Sequence, residues 1–348
     1  MSGGAGTRLW PASTEDHPKQ FLSLCGPRTL FENTLHRVEG AVGAISFEPP
    51  LVLGSCRHAS MIESCLARAN ISATAIVLEP APRNTAAAAV AAAAVAHELR
   101  PDALVLLIPA DHMITNVSAF HAAIEQAAPF ARERIVTFGI QPSKAVIEYG
   151  YIRAGALLGA GIREIRSFHE KPSAETASSY LAAGDYYWNS GMFLFSPQLL
   201  LREFDASADI RDHTLEALAH AKRVGSRIEL SAAHFAAAPS APLDIAVMEK
   251  TSCGAVLPCD FGWADIGSWD EVWRLSQRDA SGNAIQGAVV LREATDNLVI
   301  ADGMKVCVAG VDNLIVIATP DSVLILPRDR AQEVKSLREI ALKRSQEN

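Results

Sequence analysis

Three glycines among four residues, Gly3-Gly4-Ala5-Gly6, lead directly into Thr7-Arg8-Leu9-Trp10-Pro11, and Pro18-Lys19-Gln20-Phe21 follows shortly after. Glycine lets a backbone turn tightly and present several N–H groups to one anion, while Arg8 and Lys19 add fixed positive charge. The segment therefore reads as a cradle for a triphosphate. It is not a Walker loop, because no Gly-Lys-Ser/Thr follows, and Leu9 stands where a dinucleotide fingerprint needs its third glycine. A carboxylate, Asp111, lies just past the apolar run Leu104–Ile108. In open α/β sheets ligands gather beyond the carboxyl ends of strands, so Asp111 falls at the expected rim.

The elements that must position these groups are legible as alternation. Apolar runs at Leu51–Gly54, Ala75–Leu78, Leu104–Ile108 and Ile135–Gly139 alternate with helical stretches near 29–38, 58–69, 85–99 and 118–130. This pattern predicts an α/β fold with a mostly parallel, Rossmann-like sheet covered by helices on both faces. After about residue 280 the texture changes to short apolar strands with Asp-Asn turns at Asp296-Asn297 and Asp312-Asn313, 16 residues apart. That quasi-repeat predicts a small β-solenoid, in which stacked strands bury one another's apolar faces. A charged helix from Arg328 onward is expected to dock on it through Val334, Leu337 and Ile340. Two domains follow, 1–280 and 281–348.

Composition narrows the function. The chain has 348 residues, 31 Lys and Arg against 39 Asp and Glu, and a net charge of −8. No basic run is present, which argues against a nucleic-acid surface. The six cysteines show neither C-x-x-C spacing nor a dense framework, as expected of free thiols in the cytoplasm. The alanine-rich run 86–96 is too short and too small-sided to span a bilayer.

Taken together, the glycine segment and Pro18-Lys19-Gln20-Phe21 resemble the signature of the nucleotide-diphospho-sugar pyrophosphorylases, specifically the mannose-1-phosphate guanylyltransferase family. Further matching elements stand in the family's order and cover nearly the whole chain. They are Glu79-Pro80 with Arg83-Asn84-Thr85, Pro109-Ala110-Asp111-His112, Tyr149-Gly150-Tyr151-Ile152, Glu170-Lys171-Pro172, Trp188-Asn189-Ser190-Gly191-Met192-Phe193, Ala246-Val247-Met248-Glu249-Lys250 and Gly262-Trp263-Ala264-Asp265-Ile266-Gly267-Ser268-Trp269. The resemblance implies a nucleotidyltransferase domain followed by a left-handed β-helix-like unit, the short form of a family whose bifunctional members continue into an isomerase domain. It also implies a strand before the phosphate loop; a start placed one strand late, or a trimmed chain, is the expected reason that Met1 opens on the loop. Without that strand the central sheet would have a gap.

The reaction so implied joins a sugar-1-phosphate oxygen to the α-phosphorus of GTP and releases pyrophosphate. No protein nucleophile is needed, only cations, in-line positioning and a metal. Gly3, Gly4, Gly6 and Thr7, with Arg83 and Asn84, would contact the nucleotide; Arg8 and Lys19 would hold the triphosphate. Asp111 and Asp265 would hold Mg²⁺, a hard cation that prefers carboxylate oxygen. His112 has no second histidine at a metal spacing and reads as structural. Lys171 would meet the sugar phosphate, with Gly150, Glu170 and Asn189 around the sugar. Relatives carry an acid, a hydroxyl and a glycine where this chain has Val146-Ile147-Glu148, so transfer to another hexose-1-phosphate is the nearest alternative. A non-catalytic nucleotide-sugar-binding relative is the other. The partners expected are GTP and mannose-1-phosphate, with neither nucleic acid nor membrane, and a homodimer is compatible with the reading.

Overall fold

A computed structural model describes residues 7–345 of the chain, so the expectations for Gly3, Gly4 and Gly6 lie outside the described residues. The described chain divides into two compact units, one of residues 35–110 and 114–263, the other of residues 7–34, 111–113 and 264–345.

The first unit carries two large sheets besides the short hairpin Ala41–Val42 and Ile45–Ser46. A four-stranded sheet runs in the order Lys222–Val224, Arg227–Glu229, Ala75–Glu79, Leu51–Ser55, and its last three strands are parallel. A six-stranded sheet runs Val105–Leu107, Tyr186–Phe195, Ile135–Ile140, Gly254–Cys259, Ile162–His169, Tyr151–Gly159. Here only Ile135–Ile140 and Gly254–Cys259 pair in parallel; the other neighbours are antiparallel. The α/β class is as expected, with strand directions more mixed than simple alternation predicts. Alternation reports that strands and helices take turns, but a long hairpin such as 151–169 inserts antiparallel neighbours without disturbing it.

At the centre of this unit lies the helix Asn84–Leu99. Its residues 86–93 and 95–96 are buried, and all but Val90 and Val95 of these are alanine. A helix that is apolar all round must be enclosed on every side. It packs against the helices Pro197–Glu203 and Ala208–Ala219 on one side and touches strands of both sheets on the other. Alanine permits those close approaches, at the cost of leaving this helix no amphipathic stripe.

In the second unit, strands Ala284–Arg292, Leu298–Ala309 and Leu314–Ala318 stack in parallel, and Val323–Pro327 closes the sheet antiparallel. Ala284 aligns with Leu298 and Leu298 with Ile315, steps of 14 and 17 residues rather than the 16 read from the Asp-Asn turns. The stacked turn residues are Gly282, Asp296 and Asn313, all left-handed at φ 78°, 55° and 57°. Asp296-Asn297 therefore corresponds to Asn313-Leu314, and the second Asp-Asn pair is offset by one residue. Behind these turns two buried asparagines form a ladder. Asn297 donates from its backbone and side chain to Asn283 Oδ1 at 3.0 and 3.1 Å, donates to the Val311 carbonyl at 3.0 Å, and accepts from the Leu314 amide at 2.8 Å. Each coil's otherwise orphaned backbone groups are thus paired by side chains, which a turn of changing length requires.

The terminal helix Val334–Ser345 departs from expectation. Among its described side chains only Val334 is buried; Leu337 and Ile340 are 37% and 52% exposed. The helix is anchored through its first turn, following Ala331 on the preceding 3₁₀ segment, so the apolar spacing there does not mark a docked face. No helix of the described residues is long and apolar enough to cross a membrane. No disulfide joins any of the six cysteines among the described residues.

The ladder yields a direct test. Orphaned buried polar groups cost about 1–3 kcal/mol each, so Asn297→Leu is expected to lower unfolding free energy by about 2–4 kcal/mol in urea titration. An unchanged midpoint would mean that the ladder contributes nothing to the solenoid.

Candidate active site

In the second unit, Arg8, Leu9, Lys19, Asp111, Asp265, Ile266 and Gly267 line one polar cleft. Its centre is the Lys19 ammonium, 3.1 Å from Asp111 Oδ2, 3.1 Å from Asp265 Oδ1 and 2.6 Å from the Asp265 carbonyl. The lysine side chain is only 11% exposed. Burial by itself would lower its pKa, but the two carboxylates more than offset that and raise it. Burial would likewise raise Asp265; Lys19 and then His112 outweigh it and hold the carboxyl well below the usual range. His112 Nε2 lies 3.3 Å from Asp265 Oδ1 and 3.9 Å from Asp111 Oδ1. The histidine read as structural thus stands beside both aspartates, and the three side chains offer donor atoms within 4.8 Å of one another.

Local sequence explains how these groups are held. Lys19 opens a 3₁₀ turn directly after Pro18, whose ring fixes the entry at φ −65°. Arg8 lies in the 3₁₀ turn Thr7–Leu9, pinned by Leu9 at 1% exposure and by the Trp269 indole, which donates to the Trp10 carbonyl at 3.0 Å. Asp265 precedes Ile266, a buried β-branched residue at φ 53°, where such a side chain is strained. The next helix absorbs that strain. Ser268 caps it by accepting from the Glu271 amide at 3.3 Å, and Glu271 reaches back to accept from the Gly267 amide at 2.7 Å. This is a Ser-x-x-Glu capping arrangement shifted by one donor. A Cβ on Gly267 would come within 3.3 Å of Arg8 Nη1, so a side chain there would have to shift the guanidinium slightly.

A second constellation belongs to the first unit. Gly150, Glu170 and Asn189 converge: a Cβ on Gly150 would lie 2.8 Å from Glu170 Oε2 and 3.4 Å from Asn189 Cβ. The Glu170 side chain is largely covered at 14% exposure, while Lys171 is 61% exposed and donates to Glu170 Oε1 at 2.7 Å. Lys171 is left-handed at φ 46°, although it precedes proline. The residue before a proline ordinarily prefers extended backbone. Ser173 then caps the helix Ala174–Ala183, fixing the turn from beyond. His169 lies against the Tyr180 ring of that helix, centroids 5.3 Å apart, away from Glu170. Tyr149 meets Trp188 and Trp263 edge-on, at 5.3 and 5.1 Å, giving an aromatic wall next to Gly150. Val146 packs on the core, and Ile147 and Glu148 are exposed.

Asn189 is more committed than its sequence suggests. Its Oδ1 accepts from the Gly191 amide at 3.1 Å and lies 3.1 Å from the Thr137 hydroxyl, and its Nδ2 donates to Asp244 Oδ1 at 2.8 Å. Asp244, in a π-helical turn just before the Ala246–Lys250 motif, is a site residue that sequence reasoning missed. Its signal was faint: one acid two residues upstream of a recognised motif. Glu249, within the motif, accepts from the Glu170 amide at 3.3 Å.

Arg83 and Asn84 lie at the start of the central helix of the first unit and do not join either constellation's contacts. Arg83 Nη2 donates to the Ala236 carbonyl at 2.6 Å, and Asn84, at φ 62°, accepts from the Thr85 amide at 3.0 Å. The Thr85 hydroxyl accepts from the Leu243 amide at 2.9 Å. These residues fasten the helix start to the 236–243 segment.

With this geometry in view, comparison with known proteins is specific. Residues 1–282 match the nucleotidyl transferase family, and residues 287–339 match the mannose-phosphate isomerase/GMP-like β-helix domain. The alginate biosynthesis protein AlgA of Pseudomonas aeruginosa is 41% identical over 340 residues, 96% of this chain and 70% of the relative. A mannose-1-phosphate guanylyltransferase of Escherichia coli K12 is 40% identical over 346 residues, 97% of this chain and 71% of the relative. A crystal structure from Thermus thermophilus, named as mannose-1-phosphate geranyltransferase, superposes with a TM-score of 0.82 at 30% identity, covering 98% of this chain and 97% of that one. An unbroken match of this length, joined to a lysine held between two aspartates, places the chain in the nucleotidyl transferase family, among the mannose-1-phosphate guanylyltransferases with a β-helix domain.

Proposed function

We propose that the chain transfers a guanylyl group from GTP to mannose-1-phosphate, giving GDP-mannose and pyrophosphate. The observation that carries this reading is the Lys19 ammonium lodged between Asp111 and Asp265, in a cleft that also contains Arg8. The names borne by the relatives supply the nucleotide and sugar. In this reading residues 1–280 form the transferase part and 281–348 the solenoid.

The reaction forms a bond between a sugar-phosphate oxygen and the α-phosphorus and breaks the bond from that phosphorus to the oxygen of the departing pyrophosphate. Both reactants are anions, so the catalyst must offset their repulsion and hold attacking and leaving oxygens in line. Arg8 and Lys19 take the growing charge on the pyrophosphate through charge-assisted hydrogen bonds. Asp111 and Asp265 fit Mg²⁺: their oxygens are hard donors and already converge on one cationic centre, the ammonium of Lys19. Bound there, Mg²⁺ would supply further neutralisation of phosphate charge. Lys171, projecting from its strained turn, meets the sugar phosphate. Glu170 accepts from sugar hydroxyls, with Asn189, held by Asp244 and the Gly191 amide, beside the same sugar.

Asp244 gives this pocket a pH signature. Burial, with Glu170 nearby, pushes its carboxyl up to about 7. The proton is therefore held by the folded chain over a range in which the unfolded chain has lost it. This contributes stability that is complete below the ordinary carboxylate range and is lost as pH rises through about 7.

Two sets of outcomes are expected. Unfolding free energy should fall between about pH 4 and pH 7 in the wild type, and the fall should be shallower in Asp244→Asn; parallel profiles would show that Asp244 ionises normally. In a pyrophosphate-release assay with GTP and mannose-1-phosphate, turnover should require Mg²⁺, and Asp265→Asn or Lys19→Met should lower kcat by about 10²–10³. Lys171→Met should chiefly raise KM for the sugar phosphate. Faster turnover of glucose-1-phosphate than of mannose-1-phosphate would reject the sugar assignment.

A further inference from the structure

Away from both constellations, the far end of the helix Ala208–Ala219 meets the short helix Ala232–Phe235. Glu216, His220 and His234 gather there, with donor atoms within 4.8 Å of one another. The imidazoles of His220 and His234 stack, centroids 4.3 Å apart and planes 14° apart.

Hydrogen bonds decide which nitrogens are free. His220 Nδ1 lies 3.1 Å from the Glu216 carbonyl oxygen and 3.4 Å from Glu216 Oε1, both acceptors, so that nitrogen carries the hydrogen and Nε2 keeps its lone pair; an ion at Nε2 would draw the Glu216 carboxylate from Nδ1 to itself. His234 Nδ1 lies 2.8 Å from the Ser231 hydroxyl, which can accept from it and leave its Nε2 free in the same way. Such outer contacts orient imidazole ligands at metal centres. The scaffold is held independently of any ion: the Ser231 amide donates to the Ala217 carbonyl at 3.0 Å, and Phe235 is fully buried. Glu216 and His220 are four residues apart on one helical face, a spacing that lets two side chains reach one ion.

We propose that Glu216, His220 and His234 form a surface site for a transition-metal dication of the Zn²⁺ type, clasping the end of helix 208–219 to the 231–235 turn. Two imidazoles and one carboxylate match zinc or its Irving–Williams neighbours and do not match Mg²⁺, which selects oxygen. Water would complete the tetrahedron, because Glu216 and His220 are 55% and 54% exposed.

The test is calorimetric titration of the full chain with ZnCl₂ in excess Mg²⁺, which occupies the oxygen-rich cleft. Wild type and Asp111→Asn should each bind one zinc ion at this site. His220→Gln and His234→Gln should bind it roughly 10–100-fold more weakly, while unfolding without zinc at the wild-type temperature and keeping Mg²⁺-supported turnover. Zinc should raise the Tm of the wild type and leave that of His234→Gln unmoved. Equal zinc affinity in the wild type and both histidine variants, or loss only in Asp111→Asn, would overturn the proposal and leave the stacked rings as a packing contact. Should one histidine variant unfold, Glu216→Gln, on an exposed helical position, gives the same comparison.

Discussion

A buried ammonium clamped between two carboxylates sets the terms for the second unit of this chain. Removing three charges from water costs several kcal/mol per ion after relaxation, and the cost is met only when the geometry lets each charge see its opposite. Lys19, Asp111 and Asp265 meet that condition because three separate stretches of chain are fixed independently. Pro18 sets the turn that carries Lys19, Asp111 follows the strand Val105–Leu107 in sequence, and the capped helix at Ser268 anchors the segment that carries Asp265. A binding-only protein would have no evident reason to maintain so costly a set.

Backbone strain falls in the same motifs. Ile266, Lys171 and Asn84 all occupy left-handed conformations, and none is glycine. Ile266 turns the chain directly after Asp265, Lys171 turns it directly after Glu170, and Asn84 opens the buried alanine helix. Such positions persist where surrounding contacts over-determine them. Here the restraint comes from a helix cap at Ser268, another at Ser173, and the 236–243 segment fastened by Arg83 and Thr85. The strain and its counterweight are thus encoded within a few residues of each other.

Much of this is legible in the chain itself. Residue types and spacing mark Arg8, Lys19 and Asp111, the family resemblance adds Asp265, and the structure gathers all four in one cleft. The solenoid is visible as short strands with Asp-Asn turns, but its true period differs from the spacing of those dipeptides because the left-handed position moves from Asp296 to Asn313. The terminal helix shows the limit of periodicity, since Leu337 and Ile340 have the right spacing and no partner to bury them. Asp244 and the Glu216, His220 and His234 group leave only faint traces in sequence for a different reason. Their meaning comes from neighbours on other elements, and nothing local to them in sequence announces a shared site.

Lys19 also acts as a resident counter-ion. With its charge already in place, half of the negative charge of the paired acids is offset whether or not a dication is present, so the folded state depends less on metal loading. In the proposed reading, chelation stops turnover while leaving the architecture standing, unlike metalloproteins whose ligands repel one another once stripped. A dication held by Asp111 and Asp265 would take the place of the Lys19 ammonium, whose positive charge would then be available to a phosphate.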